Sequence, residues 1–138
     1  MLLNINDIQR EVNSLVLKIG LPEHSLNLCT VSIGDGTPYI SFENNKYNYI
    51  YSERGCEFSR KTTDSIDELL YWVMYDLVHK IAVKYELAHR VPKKDGRRIY
   101  FPKIIEFMSK LDANWGVKAR KHLDDTLAVN PYDDNLYL

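Results

Sequence analysis

The stretch YISFENNKYNYIYSERG (Tyr39–Gly55) changes period within a chain whose flanks read as helical. Tyr39, Ser41 and Glu43 alternate with Ile40 and Phe42, and Tyr47, Tyr49 and Tyr51 alternate with Asn48, Ile50 and Ser52. A period of two belongs to strands with two distinct faces. Asn44-Asn45 between the runs tolerates the positive φ of a tight hairpin. Gly55 offers a second turn and Cys56–Thr62 a third strand. Thr30–Ile33, ahead of the Gly34-Asp35-Gly36 turn, is a candidate fourth. The pattern predicts an antiparallel meander in which Ile40, Phe42, Ile50 and Phe58 meet the helices. Tyr39, Tyr47, Tyr49 and Tyr51 then look away from them, a reading that depends on register because a one-residue slip exchanges the faces.

Before this stretch, Ile5, Ile8, Val12, Leu15 and Ile19 recur at helical spacing, with Asn4 or Asn6 to cap the start and Gly20 to end the helix. After it, Ser65 and Glu68 form a capping-box pattern. A helix follows to about Arg90, its stripe made of Ile66, Leu70, Val73, Leu77 and Ile81, widened by Leu69, Trp72 and Val83. Pro92 ends it. A third helix is predicted over Ile99–Leu111, with Phe101, Ile105, Met108 and Leu111 inward and Pro102 in its first turn. Asp112 caps a fourth, with Trp115, Ala119, Leu123 and Leu127 on one side. Pro131–Leu138 reads as an extended end. The expected fold is α+β: an N-terminal helix, an antiparallel three- to four-stranded sheet, then three C-terminal helices, in one domain spanning residues 1–138.

With 138 residues such a domain buries roughly two thirds of its unfolded surface. A net charge of -1 supplies no field that would draw in nucleic acid or an anionic membrane. No apolar run approaches the roughly 20 residues needed to span a bilayer. Met1–Asp7 lacks the basic start and apolar core of a signal peptide, and Cys29 and Cys56 lie in no CxxC, so a cytoplasmic location with reduced thiols is expected.

Seven pieces stand in order along the chain. They are TPYISFE (Thr37–Glu43), YIYSERG (Tyr49–Gly55), the run Asp67–Trp72, YELAHR (Tyr85–Arg90), Asp95 with Arg97-Arg98, KLDANW (Lys110–Trp115) and NPYDD (Asn130–Asp134). In this succession the chain resembles the immunity protein 63 family of bacterial polymorphic toxin systems. Pro102 in the third helix and Gly116 after the tryptophan depart from the expected pattern. The resemblance implies a small α+β protein, made beside a toxin gene, that binds the cognate toxin and blocks it. It names neither the toxin's chemistry nor the contact residues. The absence of an export signal points to a toxin acting in the cytosol, such as a nuclease. A small cytosolic adaptor or regulatory domain unrelated to toxins is the alternative.

Glu86-x-x-His89 is half of a di-metal pattern that needs a second copy and further carboxylates, which the chain lacks. The expectation is a structural network of Glu86, His89, Arg90, Asp95, Arg97 and Arg98, tied by ion pairs along the helix or across the turn. Trp72 and Trp115 are expected in the core. His24, His79 and His122 share no ligand spacing, and Cys56 near Arg54 has no neighbouring base. The basic run Arg90, Lys93, Lys94, Arg97, Arg98 and Lys103, with Tyr100 and Phe101 behind it, is a nucleic-acid pattern that the overall charge disfavours. No catalytic residue, metal ligand or cofactor is assigned. The expected toxin-binding surface is the tyrosine face, Tyr39, Tyr47, Tyr49 and Tyr51, with Glu43, Glu53, Arg54 and Glu57 as a charged rim. Cover by the N-terminal helix or the C-terminal tail is the competing reading of that face.

Overall fold

A computed structural model describes residues 2–137 and has the α+β order expected. Helix α1 (Ile5–Lys18) is followed by β1 (Tyr39–Glu43), β2 (Lys46–Glu53) and β3 (Cys56–Thr63), then by α2 (Ile66–Ala88), α3 (Arg97–Leu111) and α4 (Ala113–Val129). A 3-10 turn at Asp134–Tyr137 replaces the extended end expected there, and Leu138 lies outside the described residues. The chain divides into two compact units, one up to Val73 and one from Met74.

The strands form one antiparallel sheet in the order β1-β2-β3. Thr30–Ile33 is not a fourth strand; nearby there is an isolated bridge between Asp35 and Glu53. Asn44 (φ 54°) and Asn45 (φ 58°) make the first hairpin turn, Arg54 (φ 53°) and Gly55 (φ 80°) the second. Two successive positive φ values match the right-handed twist of the flanking strands.

These turns set the faces, and the outcome corrects the expected one. A two-residue turn opposite Glu43 and Lys46 pairs even positions of β1 with odd positions of β2. Ile40 therefore faces Tyr49 and Phe42 faces Tyr47, while Tyr39 pairs with Ile50 on the other side. Between Tyr51 and Ser52 the β2–β3 register shifts: Ser52 meets Glu57, but Tyr51 meets Ser59. Phe58 is the extra residue of that bulge and stays exposed, where a helix-facing position was expected. Phe42 is also exposed.

The helix starts follow the sequence signals. Asn4 Oδ1 accepts from the Asp7 N–H and Asp112 Oδ1 from those of Asn114 and Trp115. Ser65 Oγ accepts from the Glu68 N–H, but the Ser65 N–H goes to Thr63 Oγ1, so only half of the capping box forms. In α1 the buried row is Ile8, Val12 and Val16. In α2 Leu69, Leu70 and Val73 are buried as predicted, and a row of Leu70, Met74, Val78, Ala82 and Glu86 runs one position on from the predicted Leu77 and Ile81. Helix α3 begins at Arg97, two residues earlier than predicted. Pro102 thus lies beyond the first turn, without the N–H that would bond the Arg98 carbonyl. Gly116 is explained by close approach of α3 and α4: a Cβ there would collide with Ser109 Oγ and the Ser109 backbone.

Candidate interaction surface

The tyrosine residues divide between covered and open positions. Tyr47 is 1% exposed and its hydroxyl accepts from the Leu3 N–H at 2.7 Å. Tyr49 is 4% exposed and its ring stacks on Trp72, with centroids 6.4 Å apart. Both were expected to look outward. The register turns Tyr47 toward the segment before α1 and Tyr49 toward the start of α2, whereas the competing reading had the N-terminal helix or the C-terminal tail as the cover. Tyr51 is half-buried, edge-on to Tyr49 at 5.3 Å and tilted on Phe58 at 6.3 Å. The Lys61 ammonium lies 5.8 Å from the Tyr51 ring and 5.6 Å from that of Trp72. Trp72 is half-buried under this cation, short of the full core position expected.

The opposite face holds Tyr39, half-buried, and a polar ladder across all three strands. Asn48 Nδ2 donates to Ser41 Oγ, and Thr62 Oγ1 donates to Asn48 Oδ1. Asn48 is buried, and the ladder satisfies it at both ends. Sequence periodicity did not single it out, although three small polar residues in cross-strand register are the available signal. Gln9 was missed as well. Its amide donates to the Leu26 carbonyl and accepts from the Leu28 N–H, holding that segment to α1 as a strand neighbour would.

The charged rim is exposed throughout. Glu43, Glu53, Arg54 and Glu57 all face solvent, and Arg60 bridges Glu43 at 3.5 Å and Glu57 at 2.7 Å. The Arg60 hydrogen bond holds the Glu57 carboxyl below the usual carboxylate range and Glu57 raises Arg60 in return. Phe58, 62% exposed, stands among these groups on the same hairpin. Residues 31–36 run beside it. Ser32 and Ser52 share a hydroxyl contact of 2.9 Å, and the Arg54 N–H donates to the Gly34 carbonyl, leaving Val31 and Ile33 exposed.

The six residues expected in a charged network divide among three arrangements. Glu86, buried because it ends the α2 row, takes two hydrogen bonds of 3.2 Å from Arg90. Its carboxylate lies so close to Gly96 that a Cβ there would collide with it. His89 turns away: its ring stacks on Tyr85 at 4.0 Å and Nδ1–H donates to the Tyr85 carbonyl. Glu86 and His89 therefore do not converge. Asp95, 1% exposed, receives the Arg97 guanidinium at 2.7 Å, the Arg97 N–H and the Asp133 N–H. The Arg97 bonds and these backbone donors bring its carboxyl down to about 2. Arg97 also donates to the carbonyls of Asn130 and Pro131. Arg98 pairs with Asp134, whose carboxylate also accepts from the Asp95 N–H; Asp134 is held below its ordinary value by Arg98 first. Asp133 and Asp134, which join the NPYDD and DGRR segments, had not been assigned to the network. Trp115 is buried, as expected.

Cys29 and Cys56 are free thiols. Among the described residues no three His, Cys, Asp or Glu side chains stand together as ligands, and no helix is long and apolar enough to cross a membrane.

No curated protein and no solved structure matches the chain. The family model for immunity protein 63 matches residues 43–125, from the end of β1 through most of α4. That span takes in both hairpin turns, the Glu86–Arg90 pair and the Asp95–Arg97 fork, and exceeds half of the chain. The chain belongs to the immunity protein 63 family.

Proposed function

We propose that this protein neutralises a cognate toxin by direct stoichiometric binding, acts in the cytosol, and does no chemistry of its own. Membership of an immunity-protein family carries the reading. The fate of the chemically suggestive groups supports it: Glu86 is paired with Arg90, Asp95 with Arg97, and His89 is turned onto a carbonyl. The contact surface is the exposed end of the β2–β3 hairpin, where Glu53, Arg54, Glu57 and Phe58 stand together, with Glu43, Tyr39 and Tyr51 at its margin. Phe58 supplies the apolar anchor and the glutamates the charge, in a segment (residues 1–73) with ten acidic and six basic side chains. Such a surface complements a basic cleft, which suits a toxin acting on nucleic acid.

Co-expression with the neighbouring toxin gene tests this. The chain restores growth and co-purifies at a fixed stoichiometry. Phe58→Asp or Glu53→Lys weakens the complex by about tenfold or more, while the melting temperature stays put. Undiminished rescue by both variants would move the contact elsewhere; absence of rescue by the parent chain would end the toxin reading.

A further inference from the structure

The turn between α2 and α3 contains a feature that the toxin reading does not use. A cavity of about 250 Å³ opens there, with an almost wholly apolar accessible lining. Val91, Gly96 and Ile99 form it, together with Lys94 and Arg98. Glu86 and Asp95 also reach it, but both carboxylates are held in ion pairs with Arg90 and Arg97. Val91 is itself 48% exposed, so the mouth presents apolar surface to water.

The charge around this mouth is unbalanced. Arg90, Lys93, Lys94, Arg97 and Arg98 stand on the segment that builds it, against the three carboxylates of Glu86, Asp95 and Asp134 that pair with them. Arg90 faces the buried Glu86, while Lys94 and Arg98 share the single carboxylate of Asp134, at 3.7 and 3.0 Å. Lys93 is exposed and makes no ion pair or hydrogen bond among the described residues. An apolar hole of side-chain size inside a cationic rim selects an apolar group flanked by negative charge.

We propose that this cavity is an anchor site for an acidic protein segment, in which one aliphatic side chain enters between Val91 and Ile99 and flanking carboxylates meet Lys93, Lys94 and Arg98. Nucleic acid is the poorer fit. Single strands are held by stacking on open aromatic faces, and no aromatic ring lines this cavity. Phe101 is buried, and the Tyr100 ring lies against His79 and Phe101. The site uses none of the residues of the β2–β3 hairpin and does not depend on the identity of any toxin.

The test is amide chemical-shift mapping on the full-length labelled chain, titrated with the peptide Glu-Glu-Leu-Glu-Glu. Shifts should centre on Val91, Lys94 and Ile99 and weaken with added salt. Exchanging the peptide's leucine for serine, or its glutamates for lysines, should abolish them. Val91→Asp places a carboxylate at the apolar mouth and should weaken binding about tenfold; Lys93→Glu should weaken it about threefold. Both positions are exposed, so the variants' own spectra report that the fold persists. The proposal is overturned if the acidic peptide shifts nothing or the lysine peptide shifts the same amides equally. It is also overturned if oligothymidylate binds there more tightly, or if the same amides shift with protein concentration alone, which would make a second copy of the chain the occupant. None of these outcomes touches growth rescue, so failure here is distinct from failure of the toxin reading.

Discussion

Two arginine–carboxylate pairs, Arg60–Glu57 on β3 and Arg97–Asp95 at the start of α3, have the same closest approach of 2.7 Å and close sequence spacing. Their surroundings differ. Glu57 and Arg60 lie on a strand that pairs on one side with β2, and both side chains are more than a third exposed. Asp95 is closed off from water, and its oxygens are shared among the Arg97 fork and two backbone N–H groups. Arg97 extends the connection to the carbonyls of Asn130 and Pro131. Distance therefore says little about worth. An exposed pair exchanges water contacts for protein contacts at nearly even free energy, whereas a buried one leaves an unpaired charge behind when it is broken.

Breaking the buried pair gives the largest expected effect. Arg97→Ala should lower stability by about 3 kcal/mol in urea melts, the low end for a broken buried pair, because the backbone N–H groups of residue 97 and Asp133 still serve the stranded Asp95 carboxylate. The same substitution frees the Asn130–Pro131 carbonyls, so amide exchange should quicken from Asn130 to Asp134. An unchanged urea midpoint would erase the contrast between the two pairs.

Acid sharpens the comparison at smaller amplitude. Asp95 titrates at about 2 in the folded chain, against an ordinary value of 3.8. A carboxyl depressed on folding stabilises fully above its unfolded pKa, and that contribution is lost as pH falls through the folded one. Stability should therefore decline between about pH 4 and pH 2 by about 1–2 kcal/mol, after discounting for partners that reach water. In Asp95→Asn the decline over this window should flatten in chemical melts followed against pH. An equal slope in the variant would mean that other carboxylates dominate acid unfolding.

The element order was readable because the helix starts carry capping residues, and because the change from period 3.6 to period two lies between two unambiguous turns. The sheet faces were readable in principle. Asn44-Asn45 as a two-residue turn already forces Ile40 opposite Tyr49, and assigning Tyr39 and Tyr47 to one face contradicts that parity. Phe58 was not readable, because a bulge inserts its extra residue without a sequence mark of its own. The burial of Glu86 could have been found by extending the row Leu70, Met74, Val78 and Ala82 by one more turn. Gly96 beneath its carboxylate was beyond reach, since a close approach between segments leaves no periodic trace. For the same reason Gly116 looked like a poor helix former until Ser109 was found against it. The part of the candidate surface that could be read was the charged rim, Glu43, Glu53, Arg54 and Glu57, because turn residues are exposed whichever face the strands turn inward.

The exposed pair should give the smallest effect of all. Glu57→Ala removes the carboxylate that Arg60 holds low and that raises Arg60 in return, yet Arg60 stands in water before and after the change. Arg60 keeps Glu43 at 3.5 Å as a second partner, so no charge is stranded. The melting temperature should not move measurably, with or without salt, while affinity for a basic partner falls. A salt-dependent drop in melting temperature for Glu57→Ala would mean that the Glu43–Arg60–Glu57 group acts as a cooperative network across the sheet. The hairpin end would then be a stabilising element first and a contact surface second.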